Sequence, residues 1–599
     1  MPHAAKYTAI SAFGVFLSIF GAITSVLAQH LKKYIKWYIA ALLFAATYAL
    51  YTDGIVMQAN RMIIGRLDMQ SDVPVFYNNI YLFEKKVQAG ENPLNNDMEM
   101  YPAGFNMAMN SHNFAMGIFC LPFKNNMQGL NMGLWLSFIL SGLGAALLCY
   151  RFVPNYWAAV LVGFIFAFSP WKMLKLQDHH WFALTATIPF YIYHFIDIFD
   201  FKRRRYLPSI SSYKKIIYCF LLGAVTALSE YYLTFFLIYF SLFYVLIKQY
   251  VQPWRINFKK PKTWGIVALI VAGISVLVSV LDGVGWDNKG AFFWGGDLAA
   301  YFLPVYQTWV KDFIGVFGFE IPAYQENFFF LGFSFIAFTV LVFIKAKKSK
   351  ITPPEDIKAF AWLALLFVLF SLPVLKVLGH FLFYLPTAIF HYIPFFNNVR
   401  VITRIFILFS LLFPIVVMWF YHNSVQWKFK NILPVIVLVV LWFEFTPPKY
   451  DVIDSQTTPT EIAQLHSIKG NVVLPIPAGL RDGFTQIGFN NSDMLFYQTL
   501  FDKIMIGGYT ARLTDDVRQL YLSDSVMKNI LILSENPNAV VALPTPQQTE
   551  QFFTTFGVDM VCIAPTYKGT KAEEYARYIA AQRGLNIILG EKYLILTKN

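Results

Sequence analysis

The chain has 599 residues, 57% of them hydrophobic and 14% charged, with 61 phenylalanines and a mean hydropathy of +0.49. No soluble fold needs that much apolar surface, so a water-soluble globular protein is excluded and a membrane protein is expected. The net charge of +13 comes without a basic soluble module, which argues against a nucleic-acid partner. Four scattered cysteines offer neither a disulfide framework nor a CxxC metal site.

A helix needs roughly 20 mostly apolar residues to cross a hydrocarbon core of about 30 Å. About twelve stretches are candidates, near 8–28, 36–51, 131–150, 156–171, 182–199, 215–230, 233–248, 264–281, 328–345, 359–376, 401–420 and 431–445. The first reads as a retained segment, because only Lys6 precedes it and no small-residue cleavage site follows. Lys and Arg collect in alternate loops, at Lys32, Lys33 and Lys36, at Arg151, from Lys202 to Arg205, from Lys248 to Lys262, from Lys345 to Lys358, and at Lys428 and Lys430. Cytoplasmic loops carry that excess. The loops around 52–130, 172–181, 282–327 and 377–400, and everything after Pro447, are therefore expected on the outer face.

The first outer loop, 52–130, follows a hydrophobic segment and is acidic and aromatic. Asp68 and Asp72 stand four apart, so they share a face if the loop runs into the following helix. A carboxylate at a membrane surface suits transfer of a sugar from a lipid phosphate, taking the proton from the acceptor hydroxyl. The plainer reading is an N-cap or a solvated loop residue. Farther along lie a helical stretch from Val75 to Ala89, the turns Gly90-Glu-Asn-Pro93 and Tyr101-Pro-Ala-Gly104, and Ser111-His112. The apolar run from Phe114 to Phe123 is too short to span and is expected along the membrane surface.

The next outer loop presents Asp178, His179 and His180 after Gln177. Glu230 and Tyr231 interrupt a hydrophobic hairpin, where a carboxylate is costly unless it serves a purpose or sits in an outer turn. The 282–327 loop carries Trp294-Gly-Gly-Asp297 and Glu326, suited to acceptor recognition or to loop packing. Arg400 and Arg404 open a late membrane helix one turn apart. Two guanidinium groups so placed can grip a phosphate with forked hydrogen bonds, or can anchor the helix at the interface.

After Pro447-Pro448 the long apolar runs stop, and residues 447–599 read as a soluble extracytoplasmic α/β domain following a membrane domain of residues 1–446. Expected strands are Val472 to Ile476, Val558 to Ile563 and Tyr593 to Thr597; expected helices are Val517 to Leu533, Gln547 to Phe556 and Lys571 to Gln582. The Gly507-Gly508-Tyr509 turn with Arg512 reads either as a tight turn or as a hold on an acceptor glycan.

Ser71-Asp72 before an aromatic helix, then Gly90-Glu-Asn-Pro93 and Tyr101-Pro-Ala-Gly-Phe-Asn106, resembles the first outer loop of bacterial integral membrane glycosyltransferases of the GT-C fold. Gln177 to His180, the Asp297-Leu-x5-Pro304 pattern and the arginine-rich start of the late helix extend the resemblance over most of the chain. It implies a polytopic α-helical protein of the inner (cytoplasmic) membrane with about twelve spans and an extracytoplasmic active site. It also implies a polyprenyl-phosphate-linked sugar as donor, a glycan, lipid or protein as acceptor, and an inverting reaction. Counted back from Asn92-Pro93, Asp72 rather than Asp68 takes the family's acidic position, with Arg400 and Arg404 on the donor phosphate. Asp178, His179, His180, Glu230, Tyr231, Asp297, Glu326 and His112 are candidates for substrate contact. No cofactor is fixed, although two carboxylates beside a lipid phosphate could hold Mg²⁺ or Mn²⁺.

The short cytoplasmic loops leave no room for a nucleotide-sugar-binding domain, in keeping with a membrane-borne donor. The absence of HExxH, Walker, GxSxG and GxGxxG patterns removes metalloprotease, nucleotide-hydrolase and serine-hydrolase readings. A transporter or lipid flippase would place its polar residues at mid-membrane with broken helices or repeat symmetry, whereas these acids and arginines gather on the outer side. A non-catalytic envelope-assembly protein stays open, since an idle aspartate looks the same in sequence.

Overall fold

Apolar runs with few charges form helices because a helix satisfies its own backbone polar groups. The computed structural model describes residues 34–598 apart from 69–70, 111–112, 202–206, 257–258, 284–291, 321–325, 350, 427–429, 484 and 589. The expected segment 8–28 and His112 lie outside the described residues. Helix α1 covers 34–51, followed by α2 (Asp72–Gln88), α3 (Phe114–Cys120), α4 (Asn126–Phe152), α5 (Tyr156–Phe168), α6 (Pro170–Asp178), α7 (Thr187–Phe195), α8 (Tyr213–Ser229) and α9 (Tyr231–Leu246). Next come α10 (Pro261–Gly283), α11 (Thr308–Val316), α12 (Phe333–Ser349), α13 (Glu355–Ser371), α14 (Phe406–Ser424) and α15 (Leu433–Glu444).

Among the described residues, Asn126–Phe152, Tyr156–Asp178, Tyr231–Arg255, Pro261–Asp282 and Ile402–Ser424 are long and apolar enough to cross a membrane. Within the expected span at 182–199 the α-helix covers only the 9 residues of α7, with a tighter helical turn over His180–Ala183 before it. The 156–171 stretch does not stop where the apolar run ends. Ser169 and Pro170 break the helix and restart it as α6, which carries the chain to Asp178. Helix α10 exposes Trp264, Leu269, Ile270, Val276 and Val280, an apolar surface suited to lipid and not to water.

The helix ends sort into two groups. At one end, Lys36 donates to the Tyr150 hydroxyl at 3.1 Å, Arg151 forks onto Asp197, and Asn155 donates to Asn431 at 2.8 Å. At the other end, strand Met62–Ile64 after α1 pairs antiparallel with Val452–Asp454 after α15. There too the Tyr450 hydroxyl donates to the Met173 carbonyl at 2.9 Å. The basic residues of the expected inner loops that are described gather at the first end, and the acidic loops meet at the second.

The tail builds a five-stranded sheet in the order Ile504–Met505, Val472–Ile476, Met560–Ile563, Leu594–Thr597, Asn586–Ile588. The first three strands run parallel and the last two antiparallel. Helices α16 (Thr460–Leu465), α17 (Ser492–Phe501), α18 (Asp515–Ser523), α19 (Ser525–Glu535), α20 (Pro546–Phe556) and α21 (Lys571–Gln582) complete it. The single helix expected over Val517 to Leu533 is two, because the Asp524 side chain leaves the helical backbone to cap α19 through the Met527 N–H at 2.8 Å.

The tail is sewn to the first loop through buried polar groups. Asn78 of α2 donates to Gln498 of α17 at 2.8 Å and to Glu99 at 3.0 Å. Gln498 in turn donates to the Met98 and Lys503 carbonyls. Backbone bonds from Met505 to Met98 and from Met100 to Gly507 extend the seam.

Candidate active site

Helix α2 begins at Asp72, because the Ser71 hydroxyl caps it by accepting from the Val73 N–H at 3.4 Å. The preceding turn presses against that first helical turn: a Cβ at Gly65, whose φ is +141°, would lie 2.7 Å from the Val73 side chain. Asp68 therefore stays in the loop and does not share the helical face expected for it. Its carboxylate lies 3.6 Å from Arg66, which also pairs with Asp178 at 3.0 Å.

Asp72 is 23% exposed, and its Oδ1 is shielded from solvent with no hydrogen-bond partner among the described residues. Its Oδ2 lies 3.5 Å from His179 Nε2. Burial, with the nearby charges of Lys175 and Arg404, holds His179 well below its usual range, so the contact is to a neutral imidazole. Burial raises Asp72 above the usual carboxylate range. Arg481, then Arg404, draws it back, Asp178 pushes it up again, and Lys175 lowers it. A carboxylate with a raised pKa is a better proton acceptor at neutral pH.

Behind Asp72 sits a buried charge hub. Glu326 accepts a forked contact from Arg404, 2.7 Å at its shortest, and lies 2.8 Å from Lys175. The Arg404 guanidinium packs 4.3 Å from the Phe182 ring and 5.2 Å from the Tyr232 ring. Burial disfavours the Glu326 carboxylate, but Arg404 and Lys175 outweigh it and hold Glu326 below its ordinary range. Glu326 is thus shared by two cations.

Glu230 caps α9 through the Tyr232 N–H at 3.2 Å and keeps its Oε2 buried without a partner, within the field of Arg404. It thus joins the hub. Tyr231 turns elsewhere, its hydroxyl donating to Ala108 at 3.1 Å. His180 contacts the Ile64 carbonyl at 2.8 Å and stacks edge-on against Phe76, behind the site. Asp297 is taken up by structure: it caps Ala299 at 2.8 Å and accepts from the Leu378 and Gly379 N–H groups at 3.1 and 2.7 Å. Arg400 and Arg404 have different partners, for Arg400 donates to the Gly483 carbonyl of the tail and lies 6.0 Å from the Trp294 ring.

Sequence reasoning missed Lys175, Arg66, Arg481 and the part played here by Tyr509. Lys175 carried a signal, for it and Lys172 are lysines that continue a long apolar run. Arg481 carried none, since only the fold brings strand Gly479–Arg481 beside α2. Among the described residues no group of three or more His, Cys, Asp or Glu side chains is placed to hold a metal ion.

Residues 40–445 match the sequence family described as a domain of unknown function, DUF6311. The chain belongs to that family. No curated protein matches it in sequence. Among solved structures it is similar to the oligosaccharyltransferase of Archaeoglobus fulgidus in the apo form, at 10% identity and a TM-score of 0.43, over 92% of this chain and 72% of that one. The same enzyme tethered to an acceptor peptide gives 10% identity and 0.44, over 95% and 74%. ArnT from Cupriavidus metallidurans bound to undecaprenyl phosphate gives 11% and 0.34, over 94% and 98%. The DUF6311 region ends before Arg481 and Tyr509, so the site described here draws on residues beyond it.

Proposed function

We propose that the protein is a multi-pass membrane glycosyltransferase of the GT-C type that moves a sugar from a polyprenyl-phosphate donor to a glycan, lipid or protein acceptor. The observation that carries this reading is the Asp72 carboxylate, whose Oδ1 is free of protein partners while Arg481, Arg404 and Lys175 surround it with positive charge. An isolated carboxylate is a base; a base ringed by cations at the end of an apolar helical bundle suits an anionic lipid headgroup. About twelve spans, an extracytoplasmic site and tail, and the inner membrane are parts of the same proposal, supported by the basic loops gathered at the opposite end.

In the reaction, the acceptor hydroxyl attacks the anomeric carbon as Asp72 takes its proton. The new glycosidic C–O bond forms, the bond from carbon to phosphate oxygen breaks, and the polyprenyl phosphate leaves with the electron pair. Neutral His179 orients the carboxylate. Arg404 and Lys175, with Arg400 nearer the tail, stabilise charge on the departing phosphate.

Asp72→Asn keeps the shape and removes the base, so transfer should fall by about 10²–10⁴-fold while the protein still purifies folded. The measurement is release of polyprenyl phosphate from a radiolabelled sugar donor in nanodiscs. Turnover near wild type in Asp72→Asn would overturn the reading.

A further inference from the structure

The strongest opposite charge acting on Asp72 comes from the tail, at Arg481. Arg481 ends the strand Gly479–Arg481, which pairs in parallel with Gly508–Tyr509 so that Arg481 and Tyr509 are register partners. The Arg481 guanidinium lies 5.3 Å from the centre of the Tyr509 ring. Two residues on, the Gly483 carbonyl receives the hydrogen bond from Arg400. Tyr509 lies within the fields of Asp72, Arg481, Arg400 and Asp482.

We propose that Arg481 of the tail and Arg400 before α14 together hold the phosphate of the lipid-linked donor, with Tyr509 between them, so that the donor headgroup is bound across the junction of helical bundle and tail. This rests on the glycosyltransferase reading above and assigns the donor phosphate a tail residue.

The geometry favours this pair over Arg400 with Arg404. Arg404 makes its forked contact to Glu326 within the hub, whereas Arg400 reaches the tail two residues beyond Arg481, at the Gly483 carbonyl. Next to Arg481, Asp482 accepts from the Thr485 N–H at 2.6 Å, the Leu513 N–H at 3.2 Å and Arg518 at 3.0 Å. The Gly508–Tyr509 strand is registered against α2. Glu99, buried, accepts from Asn78 of α2 and from Asn96 at 3.2 Å, while the Tyr509 N–H points to its other oxygen at 3.4 Å. The helix that presents Asp72 and the strand beside Arg481 are thus linked through one carboxylate, which fixes the distance between base and phosphate grip.

The test is binding of a polyprenyl monophosphate, the matching uncharged polyprenol and inorganic phosphate to the full chain in nanodiscs. It compares wild type with Arg481→Gln, Arg481→Lys and Arg400→Gln. A charge-assisted hydrogen bond contributes about 1.5–3 kcal/mol, so each Gln variant should weaken lipid-phosphate binding by about 10- to 100-fold and leave the polyprenol unchanged. Arg481→Lys should fall between, because it keeps the charge and loses the fork; it also carries the test if Arg481→Gln does not fold. Wild-type affinity in both Arg481 variants, with Arg400→Gln weakened, would overturn the tail's part while sparing the donor reading. Equal wild-type affinity for phosphate lipid and polyprenol would overturn both. Inorganic phosphate bound as tightly as the lipid would overturn the lipid headgroup as the ligand.

Discussion

Asp68 and Asp72 are equivalent as types, and what separates them is where α2 begins. Ser71 caps the helix, so Asp72 faces His179 and the cationic hub while Asp68 turns to Arg66 at the rim. Asp68 also helps burial push Asp493 of the tail up to about 7, so the rim itself is crowded with carboxylates. The base proposed here works only when ionised, and Asp72 is held above the ordinary carboxylate range. Transfer should therefore fall as pH drops through that raised pKa and reach a plateau above it. The groups that set the limb are Arg481, Arg404 and Lys175, which lower it, Asp178, which raises it, and the neighbouring His179 and Tyr509. Asp178→Asn removes a like charge, so the acidic limb of kcat/KM should move to lower pH. A limb that moves upward, or not at all, would show that Asp72 is not the group titrating. The choice of Asp72 over Asp68 was open to sequence reasoning through the Asn-Pro spacing. The pairing of Glu326 with both Arg404 and Lys175 was not, because three distant loops converge only in the fold.

At the scale of elements, the spans and most tail elements follow the hydrophobic pattern closely. Strand Val472–Ile476 falls on its continuous apolar run and is buried throughout, and helices α20 and α21 fall where periodicity places them, each burying one apolar face. Helix α7 and the split at Asp524 escape that signal: one is shortened and the other interrupted, each by local chemistry that a hydrophobicity window averages away. The seam between α2 and the tail was also hidden, since it is made of Asn, Gln and Glu, residues that composition assigns to surfaces. Gly508 shows how tight that seam is. Its φ is +150°, and an added Cβ would stand 2.6 Å from Glu99 Oε2. Gly508→Ala should destabilise the protein by about 1–3 kcal/mol, through both backbone strain and displacement of Glu99. Thermal unfolding in detergent reads this directly, with Gly569→Ala as comparison: that glycine also has positive φ, at +71°, but no neighbour within 4 Å. Equal losses in the two variants would assign the effect to backbone strain alone and leave the seam without energetic weight.

Across the whole molecule, one end of the bundle collects Lys36, Arg151 and Lys248, and the other collects Asp68, Asp72, Asp178, Glu230 and Glu326 together with the tail. Positive residues stay on the cytoplasmic side during insertion, so the cationic end should face the cytoplasm and the catalytic end the outside. Because α4, α5, α7, α8 and α9 carry the chain back and forth between the ends, the orientation of one fixes the rest. The four native cysteines are buried, so single cysteines introduced at exposed positions report with little background. Gln88→Cys and Lys469→Cys, at the tail end, should react with a membrane-impermeant maleimide in intact cells. Lys347→Cys and Glu355→Cys, at the far end, should react only after permeabilisation. Labelling of Gln88→Cys and Lys347→Cys from the same side would break the alternation itself. A clean reversal would instead keep the fold but place Asp72 in the cytoplasm. There a polyprenyl-linked donor would have no need to cross the membrane before use, and the extracytoplasmic part of the proposed function would fail while its chemistry survived.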